Sequence, residues 1–553
     1  MRKAIGFMVL LVWLAQGTVA AQGVSEANVA LGKSYTVVMR YDNEGSRKDE
    51  RNYPDSGGEL TDGKLAPTSF WNPAWVGFAQ GFERRITVDL EEVHTVSRIW
   101  ANFLKQSDAG IHLPRFVLFE ASADGTHWER LGRVNYPGEA AVASGQTFPY
   151  ELADLNIAAR YVRLTVPVAV WVFMDEVEIY GTRGVAANAR LAQGEADPEP
   201  RAPGYMKAGT PEVGGAHHII LLPAGGRAGQ PGDQLWRVED YLPYVAYLDA
   251  NGTPLDWMFD TVLISPPKYA ESGREYASRA SVWSVGNMLD WQIFHDTLFR
   301  PNMQLDALNK AVARAKEALG DSDYKLKVIL ATVYPTPAGR YFGDVDGDGV
   351  SENLDYTRGE EALADARKVA DWFFHMLLSS WEQAAFEHLE LIGVYWQMED
   401  VGMATSAFEE AMIRYTSDLA HAHGLKLFWI PYIRAGLYYD WERLGIDGVM
   451  MQPNHMFSTL TNLLQTNAEL TYAAGMGVEM EADAFKGPEK DRKWIEYLNA
   501  GVEYGYMEGT LIGWYQHFKD FARASRMEGR NRQLYYDYVY QFIQGTYTVQ
   551  PVE

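Results

Sequence analysis

The chain contains no cysteine. That excludes disulfides, thiol catalysis and thiolate-bound zinc, and leaves stability to large apolar cores and bound ions. Beyond the first residues there is no apolar run long enough to cross a bilayer, so no membrane insertion is expected. Basic charge is also scarce: 49 Lys and Arg stand against 73 Asp and Glu, a formal charge of −24 at pH 7. Such a field repels nucleic acid and anionic surfaces, so nucleic acid is not an expected partner. Outside one short linker there is no low-complexity tract.

What is present reads as a folded protein, with 47% hydrophobic and 22% charged residues. At 553 residues the chain exceeds one ordinary core, so two domains are expected. The start, "MRKAIGFMVLLVWLAQGTVAAQG", joins Arg2 and Lys3 to a short apolar run and then to small residues around Ala20 and Ala21. It reads as a cleaved signal peptide over 1–21, which implies a secreted or periplasmic bacterial protein.

Residues 24–181 show short alternating runs such as "RRITVDL", "RFVLFEAS" and "ARYVRLTV" between Gly, Asp and Pro turns. This is the pattern of an antiparallel β-sandwich. Residues 182–214 are rich in Ala, Gly, Pro and charge without a periodic apolar face, and are expected to be a linker. From 215 to 546 apolar runs alternate with long amphipathic stretches. The eight runs "HHIILLPA", "FDTVLISP", "LKVILATVYP", "LELIGVYWQ", "LKLFWIPYI", "IDGVMMQPN", "MGVEMEAD" and "EGTLIGWYQ" predict a (β/α)8 TIM-like barrel. The expected fold class is thus a multidomain β-sandwich plus barrel.

In a parallel barrel, chemistry gathers at the C-terminal ends of the strands. The fourth run exits on Glu399 and Asp400, and the seventh carries Glu479 and Glu481 two residues apart, on one face. Acidic residues within an apolar strand are costly unless paired or functional. Two carboxylates meeting at one mouth are what glycoside hydrolysis uses, one to protonate the leaving oxygen and one to attack or to activate water. The other strand exits offer Tyr334, Trp396, Trp429, Tyr432, Arg434, Gln452, Asn454, His455, Trp514, Tyr515 and Gln516 as substrate-binding side chains, with His455 and Trp514 the strongest. Aromatic faces stack on sugars, while amides and cations bind hydroxyls. His217 and His218 open the first strand and read as structural.

After the third run, "DVDGDGVSENLD" places Asp344, Asp346 and Asp348 at loop positions 1, 3 and 5, the Val350 carbonyl at 7, Glu352 at 9 and Asp355 at 12. This is EF-type spacing for a structural Ca2+, and it resembles the loops of dockerins. No organic cofactor is expected.

On the strand-four and strand-seven carboxylates, the second domain resembles retaining glycosidases built on (β/α)8 barrels. That resemblance implies Glu399 as acid/base and Glu481 as nucleophile, with Glu479 the competing assignment; Met398 stands where that clan has Asn. Through "GVYWQMED", "MMQPNHMF" and "GMGVEME" the domain more closely resembles an uncharacterised secreted bacterial domain family that accompanies carbohydrate-binding modules. The first domain resembles the discoidin, or coagulation factor C-type, sandwich of family 32 carbohydrate-binding modules, through "NVALGKSYT", "GGELTDGKLA", "ITVDLEEVHTVSRI" and "WVFMDEVEIYG". This likeness implies a structural calcium with Asp62 as ligand and Glu178 as a further one; Trp71, Trp75 and His112 are candidate sugar contacts. The expected protein is a glycoside hydrolase acting on a polysaccharide, as a monomer or weak oligomer. The alternatives are a non-catalytic glycan-binding protein and a calcium-dependent polysaccharide lyase.

Overall fold

The computed structural model describes residues 26–39, 50–79, 82–197, 202–227, 230–279, 283–517 and 519–552. The expected signal peptide lies outside the described residues. Among those residues no helix is long and apolar enough to cross a membrane.

The first domain is an 11-stranded, almost wholly antiparallel β-sandwich. Its spine is one 22-residue strand, Arg84–Lys105, which pairs with Tyr35–Met39, Gln146–Leu152, Ile157–Val166 and Trp171–Arg183. Register shifts along it bend the strand so that it serves both layers. The alternating apolar positions, among them Ile86, Val88, Val96, Ile99, Ala101 and Phe103, fill the core between the layers.

The second domain is a closed barrel of eight parallel strands: His218–Pro223, Thr261–Ser265, Leu326–Ala331, Leu389–Trp396, Lys426–Trp429, Gly448–Met451, Gly477–Ala482 and Ile512–Gln516. All eight lie within the runs read from the sequence. The strands are apolar on both faces because helices cover the outside and side chains fill the inside. Gly393 in the fourth strand is needed for closure, since a Cβ there would lie 2.5 Å from the Lys426 carbonyl oxygen and 2.7 Å from the Phe428 ring.

The stretch expected as a linker is largely bound. Arg190–Leu191 pairs with Ile157–Ala158, and Glu195–Ala196 pairs with His127–Trp128, so its first part adds edge strands to the sandwich. Farther on, Met206 is buried in the barrel core, its N–H donating to the Met476 carbonyl (3.1 Å) and its carbonyl accepting from Leu511 N–H (2.9 Å). Edge pairing through the backbone needs no apolar periodicity, and so it left no signal in the sequence.

The two domains interlock. Phe82 and Phe116 of the sandwich belong to the barrel's apolar core, and Met403 of the barrel packs against the sandwich core. Arg133 donates to both oxygens of buried Glu410 (2.7 and 2.8 Å), and Arg443 donates to the same carboxylate at 3.0 Å.

Candidate active site

A cavity of about 710 Å³ opens at the C-terminal ends of the barrel strands, within the range of small-ligand sites. Glu399, Glu479 and Glu481 all line it, together with Tyr395, Gln397, Gln452, Asn454, Tyr515 and Gln516. Alternation along the fourth strand and its exit brings Tyr395, Gln397 and Glu399 to the cavity. Across the seventh and eighth strands Glu481 lies beside Tyr515 and both face the cavity.

The three carboxyl groups have different surroundings. Glu399 is open to the cavity but walled by protein. Loss of bulk water pushes its pKa up, while the Gln452 side-chain hydrogen bond and the Lys268 charge pull it down. Glu481 is buried; its Oε2 accepts from Asn454 N–H at 2.7 Å and from the Tyr497 hydroxyl. Burial raises it to about 7, with those two donors opposing and the Glu399 charge adding. Glu479 is equally buried, and its Oε1 has no hydrogen-bond partner among the described residues. Burial first, then the Glu481 and Glu399 charges, drive it well above the usual carboxylate range. The strand-seven carboxyls thus titrate as a coupled pair, in which burial and like charge favour the neutral form and do so more strongly at Glu479.

This strained pair has a consequence for stability. A carboxyl raised above 4.5 on folding stabilises the native state fully below pH 4.5, and that contribution is lost as pH rises through the folded pKa. Glu479→Gln, a neutral mimic of the protonated acid, is expected to raise the melting temperature at pH 8 and to leave it unchanged at pH 4. Thermal scans at both pH values check this; an equal shift at both would contradict it.

Several expected substrate contacts lie elsewhere. Trp396 packs against Tyr334 at 5.4 Å, both buried. Trp429 is buried with its indole N–H on the Met398 carbonyl (2.7 Å). Trp514 donates to His218 Nδ1 at 3.2 Å, and burial lowers that imidazole to about 4, so it is the neutral acceptor the indole requires. None of the three lines the cavity, because each sits on the outward face of its strand. Tyr432 and Arg434 also fall outside the lining, although Tyr432 N–H holds the Glu399 carbonyl at 3.1 Å. His455 lies behind Glu481: it pairs with Glu496 at 2.7 Å, and its N–H donates to Tyr497 Oη at 3.1 Å.

The sequence reading missed Lys268, Tyr269, Phe457 and His517, which line the mouth, and Tyr497, which holds Glu481. Tyr269 and Phe457 are 41% and 49% exposed, so two aromatic rings stand at the rim. Lys268 follows the second strand, a position its strand exit could have signalled. Tyr497 comes from the amphipathic helix Pro488–Glu503, where nothing in the sequence distinguishes it from a core tyrosine.

In the loop after strand three, oxygens of Asp344, Asp346 and Asp348 lie within 4.8 Å of one another. Asp344 also winds the loop, accepting from the backbone N–H groups of Gly347, Asp348 and Gly349 at 2.7 to 3.1 Å. Glu352 is buried nearby and accepts Val345 N–H at 3.0 Å. The three Asp carboxylates are close enough to share a hard cation, and Lys368 stands beside them, 2.8 Å from Asp346 and 3.9 Å from Glu352. Asp355 does not join them: it pairs with Arg340 at 2.9 Å and caps the turn at Thr357. The Val350 side chain is exposed, and its N–H donates to Asp348 at 2.7 Å.

In the sandwich, Asp62 pairs with Lys64 at 2.8 Å. The buried carboxylate beside it is Glu176, not Glu178, which accepts from Tyr180 Oη at 2.6 Å. Glu176 accepts Gly63 N–H at 3.0 Å, its other oxygen has no partner among the described residues, and burial with the Asp62 charge raises it to about 8. A period of two places both glutamates on one face, so spacing alone could not choose between them. Trp71 is 74% exposed, whereas Trp75 is buried with its N–H on the Pro67 carbonyl, and His112 is half-buried.

Solved structures similar to the N-terminal part include the C-terminal domain of a chitobiase from Bacteroides fragilis, 17% identical with a TM-score of 0.21, covering 29% of this chain and 98% of that one. A chitosan-binding module from a chitosanase/glucanase of Paenibacillus sp. IK-5 is 20% identical with a TM-score of 0.20, covering 28% and 99%. A CBM32 module from a family 31 glycoside hydrolase of Clostridium perfringens is 15% identical with a TM-score of 0.21, covering 28% and 95%. No curated protein matches the chain. The family model described as "Domain of unknown function (DUF4855)" matches residues 219–541, nearly all of the barrel domain and more than half of the sequence, and the chain belongs to that family.

Proposed function

We propose that the barrel is a glycoside hydrolase that cleaves a polysaccharide with two carboxyl groups, Glu399 donating the proton to the leaving oxygen and Glu481 serving as the opposing carboxylate. The observation that supports this reading is the gathering of three carboxyl groups in different environments within one aromatic-rimmed cavity. Groups whose surroundings push their pKa values apart are suited to acid and base roles. Glu481 is preferred over Glu479 because two donors hold its charged form, while Glu479 has an oxygen without a donor among the described residues. The rings of Tyr269, Phe457 and Tyr515 supply apolar faces for a sugar, and Gln397, Gln452, Asn454, Gln516 and His517 supply hydroxyl partners.

In this reading the sandwich holds the enzyme on its substrate, with exposed Trp71 as the stacking residue. The protein acts after secretion. Calcium bound by Asp344, Asp346, Asp348 and Glu352 fixes the loop after strand three, and a second ion beside Asp62 neutralises Glu176; both are structural. The test is release of reducing ends from neutral, amino-sugar and uronate polysaccharides. Release from one class supports the reading, and binding without release from any of them favours a glycan-binding protein.

The calcium sites predict an effect that needs no substrate. Chelator-stripped protein is expected to bind calcium with measurable heat and, at 100 times the Kd, to gain about 2.7 kcal/mol of stability per occupied site. Asp346→Ala is expected to remove the heat belonging to the barrel loop and to leave the sandwich's contribution. Absence of any calcium heat in the wild type would end both assignments.

A further inference from the structure

Between the end of strand four at Trp396 and the helix Ser406–Ala422, the chain that carries Glu399 has no regular structure. Its carbonyls are nonetheless held one after another. Met398 O accepts the Trp429 indole N–H at 2.7 Å, and Glu399 O accepts Tyr432 N–H at 3.1 Å. Asp400 O accepts from Arg279 Nη2, and Val401 O from Arg115 Nη1. The four donors come from strand five, the loop after strand five, the loop after strand two and the sandwich.

The Asp400 carboxylate ties the same groups together. It accepts Gly436 N–H and lies 3.8 Å from Arg115 and 3.6 Å from Arg279. Arg279 is anchored in turn by the fully buried Glu409, which also accepts Gly402 N–H at 3.2 Å. Arg115 is only 9% exposed. Opposite it stands Gly436, where a Cβ would come within 2.2 Å of the guanidinium carbon. The barrel has thus left room for a side chain from the other domain.

We propose that Arg115 is a positioning residue for Glu399, so that the sandwich completes the barrel's active site as well as serving any glycan-holding role of its own. The inference rests on the hydrolase reading for its kinetic consequence, but not for its structural one. A guanidinium suits the task because it serves a carbonyl and a carboxylate from one rigid fork, which an ammonium does not. Displacement of a reacting group by about 1 Å costs on the order of 10²-fold in rate.

The test uses the full chain with Arg115→Ala, Arg115→Lys and Gly436→Ala, the last reaching the same contact from the barrel side by crowding a side chain that can swing away. Hydrogen exchange is read at the amides of Gly402, Tyr432 and Gly436, and kcat and KM are read on the released substrate. The expected result is at least tenfold faster exchange at these amides in Arg115→Ala and Gly436→Ala. With it come a 10- to 100-fold fall in kcat, a KM within about threefold of wild type, and partial recovery in Arg115→Lys. Unchanged exchange overturns the proposal, whatever the activity, and so does faster exchange with an unchanged kcat. If the wild type hydrolyses nothing, the hydrolase reading fails by itself, and the exchange data still decide whether the sandwich holds this loop.

Discussion

Glu481→Gln is expected to lower kcat by about 10²–10⁴-fold, the range associated with one positioned proton-transfer or attacking group, with little change in fold. The amide preserves shape and still accepts from Asn454 N–H, so the loss would be chemical. Glu479→Gln should keep most of the activity, because the amide imitates the neutral form that burial and the neighbouring charges favour. Kinetics of the two variants on one substrate therefore separate the two residues. The anomeric configuration of the sugar released by the wild type separates direct attack by Glu481, which gives retention, from activation of water, which gives inversion. Loss of activity in Glu479→Gln alone would reverse the assignment.

The second large effect lies at the domain interface. Arg133→Ala removes the bidentate partner of Glu410, which is buried on the barrel side. Breaking a buried pair from one side costs on the order of 3–5 kcal/mol, because the remaining charge stays uncompensated; here Arg443 and Ser406 retain part of it. Calorimetry of Arg133→Ala is expected to show unfolding that is split or moved down in temperature relative to the wild type. The same pair predicts an acid effect. Burial alone would raise Glu410, but the Arg133 hydrogen bonds and charge, with Arg443 and Ser406, outweigh it and bring the group to about 2. A carboxylate lowered on folding stabilises the native state above its unfolded value of 4.5, and that stability is lost as pH falls toward 2. The interface should therefore loosen below about pH 4.5 in the wild type, and Arg133→Ala should lose most of this dependence.

The barrel was legible because its eight strands are apolar runs separated by helical spacing, a pattern that parallel sheets covered on both faces must show. The placement of Glu399, Glu479 and Glu481 followed from the period of two and from the rule that strand exits share one mouth. The same period explains the misplaced tryptophans. Trp514 adjoins Tyr515, and Trp396 lies one residue from Gln397, so each indole points outward while its neighbour meets the cavity. A tryptophan's chemistry favours a sugar site, but its register decides. Tyr497 and Arg115 act from a helix and from another domain, at separations that no local pattern encodes. Asp355 has the spacing of a ligand, yet Arg340 and the turn at Thr357 claim it.

Comparing the wild type with Glu399→Gln on a panel of neutral, amino-sugar and uronate polysaccharides decides whether the carboxyl at the exit of strand four moves a proton. The wild type is expected to release oligosaccharides from one class, and Glu399→Gln, folded and still binding the same glycan, to release them at least about 10²-fold more slowly. Equal release by both proteins would contradict that role.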